Sequence, residues 1–353
     1  MGRQRTELLI LALLACASHA AQQGVDLARQ DVQDFVGTMV TQHKFDREEL
    51  NSILQNAVFQ QRIVDAIQRP AEKTLAWWEY RARFMTDERI NAGVQVLTDN
   101  REALDRISQD SGVPPEYLVA ITGVETFFGR ITGRYRVLDS LVTLGFDYPP
   151  RGGFFRRELE QYLVMTREEG LDPRVPLGSY AGAMGLPQFM PSSFRAYAVD
   201  GNGDAHRDLW QSWPDAFASI ANYFKQHGWR VGQPVLADAA HENSTDDPAA
   251  AKLTLNETVA GLRQRGYQFE TSLPASAPAM LVPAALEQGM SWRVGFQNFF
   301  VITRYNRSPL YAMAVHDLAQ AIAARDVAAR ASAGAALPST SPAATITPTA
   351  AEK

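Results

Sequence analysis

The chain has 353 residues and a formal net charge of -5 at pH 7, with 46% hydrophobic and 21% charged residues. A chain of this length and composition can bury a large core and hold two or three lobes. Because its arginines and lysines are scattered and its net charge is negative, the sequence lacks the basic surface typical of nucleic-acid-binding proteins.

The first twenty residues are typical of an export signal. Two arginines precede an apolar run over residues 8–15, which is too short to span a bilayer. Two kinds of processing remain open, namely cleavage after Ala20 or lipidation of Cys16 in a bacterial lipoprotein box. Cys16 is the single cysteine, so no intramolecular disulfide can form. Either route predicts a periplasmic protein, soluble or lipid-anchored to the outer membrane.

The mature chain is predicted to begin with a polar, irregular leader over residues 21–44. Asp46 and Glu49 resemble a capping box, and the apolar spacing that follows predicts one or two helices over 46–68. An aromatic cluster over residues 77–80 comes next. Tryptophan and tyrosine rings suit stacking on sugars, but core packing explains the two tryptophans at least as well.

Residues 86–110 predict a helix that leads into a second one, over residues 114–129. The second helix begins at two prolines and is expected to stop at Gly129. Three apolar residues share a helical face with Glu125, namely Leu118, Ile121 and Phe128. A carboxyl group on that face loses hydration, so the pKa of Glu125 is expected to rise. A protonated acid of this kind can donate a proton to a leaving group. The alternative is a glutamate at the edge of the face with its carboxylate in water.

Residues 134–153 are predicted to be loop-rich, and residues 154–169 to form a helix. The segment 178–194 contains three glycines and two prolines, which indicates a close-packed, irregular conformation. Within it, Gln188 offers both hydrogen-bond donors and acceptors. A tight contact between helices is an alternative explanation that does not exclude a site.

An acidic loop follows. Asp200, Asn202 and Asp204 place side-chain oxygens at positions 1, 3 and 5, as at the start of a calcium loop. Position 6 lacks the usual glycine and position 12 the usual glutamate, although Asp215 could close the site. A plain turn rich in Asp and Asn is the alternative.

The last part of the chain is predicted to contain a helix, a β-rich lobe, a second helix and a tail. Residues 215–227 predict a helix, and a small β-rich lobe is expected over about 231–303. Three β-prone runs support this lobe, at 253–255, 279–282 and 299–303. Residues 309–330 predict a helix, and residues 331–353 a disordered tail.

Several kinds of catalytic motif are absent from the sequence. It contains no paired-histidine zinc motif, no G-x-S-x-G elbow, no Walker A loop and no Rossmann fingerprint. What remains is a glutamate on an apolar helical face, aromatic residues and loops of small residues.

Four motifs together resemble the membrane-bound lytic murein transglycosylase B family, at residues 123–129, 181–193, 200–208 and 302–306. The resemblance runs from about residue 45 to about residue 322, which places the catalytic region at 45–330. It implies a mainly α (α+β) fold, with a lysozyme-like helical core, an additional α domain and a small β domain. It also implies cleavage of the β-1,4 bond between N-acetylmuramic acid (MurNAc) and N-acetylglucosamine (GlcNAc) in peptidoglycan, whose glycan strands are the expected partner.

The resemblance also implies roles for individual residues. Its catalytic acid falls on Glu125. Supporting or sugar-binding roles fall on Ser179, Gln188, Tyr223, Arg151, Tyr80, Tyr305, Asn306 and Tyr311. Phe154 stands near Arg151 where the family carries a tyrosine, so one hydrogen bond of the family is lost here.

The family's calcium loop falls on Asp200, Asn202, Asp204, the carbonyl group of His206, and Asp215. The spacing to Asp215 is one residue longer in this chain. The calcium would be structural, because the chemistry implied by the resemblance requires no cofactor.

The implied mechanism explains the lack of a second catalytic carboxylate. Most glycosidases need two carboxylates. A lytic transglycosylase can use one, because the C6 hydroxyl of the sugar attacks C1 and forms a 1,6-anhydromuramoyl end. A hydrolytic muramidase and a non-catalytic peptidoglycan-binding protein are the alternative functions.

Overall fold

The computed structural model describes residues 24–69, 75–241, 244 and 246–335. The predicted export signal with Cys16 and the tail from residue 336 onwards lie outside these residues. The α-helices are α1 Gln30–His43, α2 Arg47–Asn56, α3 Gln61–Ile67, α4 Trp77–Ala82, α5 Asp87–Asp99, α6 Arg101–Ser111, α7 Pro115–Thr126, α8 Val137–Asp147, α9 Gly152–Glu168, α10 Pro191–Tyr197, α11 Trp213–Gln226, α12 Val259–Gln264, α13 Gln297–Tyr305 and α14 Pro309–Ala335. The strands are β1 Tyr135–Arg136, β2 Leu177–Gly178, β3 Leu236–Ala239, β4 Glu257–Thr258, β5 Pro278–Ala285 and β6 Met290–Gly295. The mainly α (α+β) fold class is confirmed.

Helices occur in every stretch for which the sequence predicts one. These stretches are 46–68, 86–110, 114–129, 154–169, 215–227 and 309–330. At the first of them, the carboxylate of Asp46 accepts hydrogen bonds from the backbone N–H groups of Glu48 and Glu49, each at 2.9 Å. This cap satisfies two N–H groups that the first turn of α2 would otherwise leave without partners.

The structure contains two helices, α1 and α8, where the sequence predicts none. The polar leader predicted over 21–44 contains α1, which buries Val32, Phe35, Val36 and Met39. The loop-rich region predicted over 134–153 contains α8, whose residues from Val137 to Phe146 are all buried. The prediction followed the prolines and glycines over 148–153, which mark turns, whereas α8 ends just before them and is stabilised by burial on all of its faces.

The β-rich lobe is built on an antiparallel sheet with strand order β3-β6-β5-β4. The β-prone run at 279–282 lies in β5, as predicted. The other two runs are wrong as strands, since 253–255 is irregular and 299–303 lies in α13. A short apolar run fits a buried strand and a buried helix equally well. The lobe has its own apolar core, which includes Leu262, Tyr267, Trp292 and Phe296.

The helices α7 and α14 form the centre of the helical core. α7 packs against α14, α5, α6 and α11, and eight of its twelve residues are buried. α14 continues to Ala335, five residues into the predicted tail. Among the helices that the structure describes, none combines the length and the apolar character needed to cross a bilayer.

Candidate active site

Glu125 lies in the last turn of α7. Its predicted neighbours on the helix face, Leu118 and Ile121, are fully buried, and Glu125 itself is partly buried. The helix ends earlier than Gly129, because Phe127 and Phe128 already adopt left-handed backbone angles, with φ values of 50° and 56°. Glutamate at this position faces the carbonyl end of the helix dipole, which disfavours its negative charge.

The hydroxyl group of Tyr311 donates a hydrogen bond of 2.7 Å to Oε1 of Glu125. Tyr311 lies in the first turn of α14 and is almost completely buried. Tyr305, at the end of α13, lies parallel to Tyr311, with ring centroids 6.4 Å apart. The structure therefore brings together two of the predicted binding residues and the predicted acid.

The electrostatics of this group follow from burial. Burial first, and the charge of Glu125 second, raise the pKa of Tyr305 and of Tyr311 well above the usual value for a phenol. Both hydroxyls therefore keep their protons at neutral pH. A phenol that donates to a carboxylate stabilises the charged form, whereas burial of the carboxylate destabilises it. The raised pKa of Glu125 remains a prediction.

A short loop over residues 185–188 is fixed beside α7. Thr126 Oγ1 donates to the carbonyl oxygen of Leu186 at 3.2 Å, and Tyr305 Oη donates to that of Pro187 at 2.6 Å. Gln188 Nε2 donates to the carbonyl oxygens of Thr132 at 3.1 Å and Gly185 at 2.9 Å. These contacts hold Gln188, whose φ is 50°, in a single conformation. The close-packed character predicted for this segment is confirmed.

Tyr223 adds a third tyrosine to the pair formed by Tyr305 and Tyr311. Its ring packs edge-on against Tyr305 with centroids 4.9 Å apart, and its hydroxyl donates to the carbonyl oxygen of Arg304 at 2.7 Å. Tyr223, Tyr305 and Tyr311 thus form a continuous row of tyrosines that ends at Glu125.

Tyr80 is only 3% exposed, as is Trp77, whereas Trp78 is 42% exposed. The ring of Tyr80 lies 5.1 Å from that of Phe84, between centroids. The core-packing interpretation of the aromatic cluster therefore holds for Trp77, and the faces of Tyr80 are not open for stacking on a sugar.

The three remaining predicted binding residues are Ser179, Arg151 and Asn306. Ser179 Oγ accepts the backbone N–H groups of Ala181 and Ala183, at 3.2 and 3.0 Å, and so closes the turn that follows β2. The guanidinium group of Arg151 lies 4.4 Å from the ring centroid of Phe154. Asn306 directly follows the last residue of α13. Their roles stay predictions.

The sequence interpretation missed Arg89, which supports the end of α7. Its Nη1 donates to the carbonyl oxygen of Gly123 at 2.5 Å, and its guanidinium group lies 4.3 Å from the ring centroid of Phe127. Burial lowers the pKa of Arg89. Arg89 belongs to α5, and no local pattern connects it to Glu125.

The acidic loop at residues 200–208 is held by its own backbone. Asp200 accepts the N–H groups of Gly203 at 2.6 Å and Ala205 at 2.8 Å. Burial opposes ionisation of Asp200, but these N–H groups outweigh it and lower the pKa of its carboxyl group. Ala205 has a φ of 71°, so it adopts the left-handed turn for which calcium loops use glycine.

Asp215 closes this loop from α11. It is fully buried, and its two oxygens accept the N–H groups of Gly201 at 2.9 Å and Asp208 at 2.8 Å. Among the described residues, no three side chains of His, Cys, Asp or Glu converge as metal ligands. A calcium ion here would therefore depend on amide and carbonyl oxygens, such as those of Asn202 and His206, in addition to Asp200 and Asp204.

A helical core that holds one partly buried glutamate against a buried phenol is the arrangement expected for a lysozyme-like enzyme with a single catalytic acid. The family model described as "Transglycosylase SLT domain" matches residues 27–320, and the chain belongs to this family. It is a lytic transglycosylase, as the resemblance implied.

Named relatives agree with this membership. Membrane-bound lytic murein transglycosylase B of Escherichia coli K12 is 40% identical over 321 residues, which cover 88% of each chain. The catenated lytic transglycosylase SltB1 of Pseudomonas aeruginosa has 46% identity and a TM-score of 0.81, over 84% of this chain and 98% of that one. The lytic transglycosylase SLT35 of E. coli, solved in complex with calcium, has 40% identity and a TM-score of 0.78, over 88% and 98%.

The contact between Tyr311 and Glu125 predicts the effect of a conservative substitution. In Tyr311→Phe, the carboxylate of Glu125 loses a donor that stabilises its charged form, so its pKa is expected to rise. The measurement is a carbon-13 NMR titration of side-chain carboxyl groups, with Glu125→Gln used to assign the signal.

The matched control for Tyr311→Phe is Tyr162→Phe. Tyr162 is also buried, but its hydroxyl donates to the carbonyl oxygen of Pro173 at 2.7 Å. The control variant is expected to leave the titration of Glu125 unchanged. Equal midpoints in Tyr311→Phe and the wild type would contradict the assigned role of Tyr311.

Proposed function

We propose that the chain cleaves the MurNAc-β-1,4-GlcNAc bond of peptidoglycan through Glu125, which acts first as acid and then as base. The observation that carries this proposal is the hydrogen bond from the buried Tyr311 to the carboxylate of Glu125. It gives one carboxylate a fixed orientation. Membership of the SLT family and the name of the E. coli murein transglycosylase support the substrate class.

In the first step, protonated Glu125 donates its proton to the glycosidic oxygen, and the bond from that oxygen to C1 of the muramoyl sugar breaks. The N-acetyl group of that sugar stabilises the positive charge that develops at C1. Glu125 is left ionised, and in this state the hydroxyl of Tyr311 stabilises it. Tyr311 is suited to this task, because its raised pKa keeps it a donor throughout.

In the second step, ionised Glu125 takes the proton from the C6 hydroxyl of the same sugar, whose oxygen then bonds to C1. This closes the 1,6-anhydro ring and returns Glu125 to its protonated form without consuming water. The attacking group belongs to the substrate, so proximity replaces a second protein carboxylate.

A single substitution tests the catalytic role of Glu125. Glu125→Gln keeps the size and polarity of the side chain but cannot donate and retake a proton, so turnover of purified sacculi is expected to fall by at least about 10³-fold. Binding to sacculi in a pull-down assay is expected to persist. Glu116→Gln, in the first turn of the same helix, is the matched control and is expected to keep wild-type turnover.

Mass spectrometry of the soluble products tests the reaction type in the same assay. Anhydromuramoyl products are lighter by one water than the reducing ends that a hydrolytic muramidase forms. Wild-type turnover by Glu125→Gln would contradict the assignment of the acid. Reducing ends from the wild type would contradict the intramolecular attack.

We also propose that the loop closed by Asp215 binds a structural calcium ion through Asp200, Asn202, Asp204, the carbonyl of His206 and Asp215. Because the three aspartates do not converge among the described residues, binding requires their side chains to close around the ion. The positive φ of Ala205 and the calcium complex of SLT35 support the proposal, as does the oxygen-rich donor set. Nothing in the proposed chemistry passes through this ion.

A thermal unfolding experiment tests the calcium proposal. The unfolding temperature is measured once with chelator and once with about 1 mM calcium. If this calcium concentration is about 100 times the dissociation constant, linkage predicts that the folded state gains about 2.7 kcal/mol and that Tm rises. Asp204→Ala should abolish the rise. Equal Tm values with calcium and with chelator would remove the loop from the list of metal sites.

We further propose that the protein acts in the periplasm, either soluble or anchored to the outer membrane through a lipid on Cys16. The murein substrate named for the E. coli relative supports this location. Mass spectrometry of the mature N-terminus decides between the two forms. A lipidated Cys16 indicates the anchored form, Ala21 as the first residue indicates the soluble form, and an intact N-terminus would contradict export.

A further inference from the structure

Arg304 and Arg307 lie at the C-terminal end of α13, and neither pairs with a carboxylate among the described residues. Arg307 is exposed, and Arg304 is partly buried with its guanidinium group 4.1 Å from the ring centroid of Phe300. Arg304 Nη2 donates to Thr303 Oγ1 at 3.0 Å. Within the part of the chain that the structure describes, neither arginine forms a salt bridge, whereas Arg293 of β6 and Arg325 of α14 both do.

The arrangement of Arg304 and Arg307 is electrostatically unfavourable as it stands. Burial first, and the charge of Arg307 second, lower the pKa of Arg304. Arg304 Nε is buried and has no hydrogen-bond partner among the described residues. An unpaired buried donor costs free energy, and so does a neighbouring like charge. An anion bound near the two guanidinium groups would relieve the cost of the neighbouring like charge.

This pair of arginines adjoins the row of tyrosines that ends at Glu125. The carbonyl oxygen of Arg304 accepts the hydroxyl of Tyr223, and the next residue, Tyr305, packs against Tyr311. The charges of Arg304 and Arg307 both act on Tyr223. The two arginines therefore belong to the same segment as the row of tyrosines, and a peptide attached to a glycan at Glu125 is the ligand within their reach that we consider.

The chemistry of the substrate class identifies the anion. The stem peptides of peptidoglycan are attached to the muramoyl sugar and carry free carboxylates. The protein has a net charge of -5, so its field as a whole repels an anionic polymer, and local cations are needed to hold it. Guanidinium groups match carboxylates in geometry and can donate two parallel hydrogen bonds.

We propose that Arg304 and Arg307 form a binding site for the carboxylates of the stem peptide. The inference rests on the proposed function, because it takes peptidoglycan as the substrate. It adds a preference for glycan that bears peptides over glycan from which the peptides have been removed. A cation in the last turn of a helix also has a structural role, because it stabilises the carbonyl end of the helix. That role would affect both substrates equally, so comparing the two substrates separates it from peptide binding.

The test compares kinetics on two substrates, namely glycan strands with their stem peptides and the same strands stripped by an amidase. In Arg307→Gln, KM for peptide-bearing strands is expected to rise about tenfold, while kcat stays within about twofold. KM for stripped strands should stay within about twofold. Arg307→Glu should raise KM for peptide-bearing strands further, because it repels the carboxylates.

Two controls make the comparison specific. Arg47→Gln removes an exposed arginine from α2 and should leave both substrates unaffected. Raising NaCl from about 0.05 to about 0.5 M should raise the wild-type KM for peptide-bearing strands, because salt screens exposed charges. This salt effect should be much smaller in Arg307→Gln. Equal changes on both substrates, or no change on either, would overturn the proposal.

The kinetic test would give a different result if the proposed function itself were wrong. In that case the wild type would cleave neither substrate, and a synthetic acidic stem tetrapeptide would serve as the probe in an NMR titration of the full-length protein. Saturable binding that Arg307→Gln weakens about tenfold supports the arginine site. Equal binding by the wild type and the variant would overturn it.

Discussion

The hydrogen bond between Tyr311 and Glu125 joins residues that lie 186 positions apart in the chain. It exists because α7 and α14 pack together along the centre of the core. A second polar contact joins the same two helices, since the hydroxyl of Tyr117 lies 2.7 Å from His316 Nδ1. Burial lowers the pKa of His316 to about 4, so its ring is neutral at neutral pH. Two uncharged partners thus fix the register of the two helices.

The next residue of α14 connects the helical core to the β-rich lobe. Asp317 is almost completely buried and accepts Arg81 Nε of α4 at 2.8 Å and Arg293 Nη1 of β6 at 2.7 Å. Removing one partner from such a group would leave a buried charge uncompensated. One helix therefore carries both the partner of the proposed acid and the anchor of the lobe.

The connection after Glu125 stores backbone strain. Phe127 and Phe128 adopt left-handed angles, which cost roughly 1–3 kcal/mol each for residues other than glycine. The ring of Phe127 lies close to the guanidinium groups of both Arg89 and Arg130, with distances of 4.3 and 4.5 Å to its centroid. Thr126 Oγ1 accepts the N–H of Gly129 at 3.0 Å and also holds the loop at Leu186. These contacts offset the strain and set the direction in which α7 ends.

The sequence by itself determined the helix of Glu125 and the close-packed loop at Gln188, because prolines, glycines and apolar spacing act locally. It also identified the family, since its motifs are contiguous. Only the tertiary structure decided that α8 is a helix, that Tyr80 is buried and that Arg89 supports α7. Turn-forming residues next to α8 obscured it locally, and a contact between distant segments leaves no local pattern. Such contacts arise only when the helices pack, and the position of Tyr311 against Glu125 is one of them.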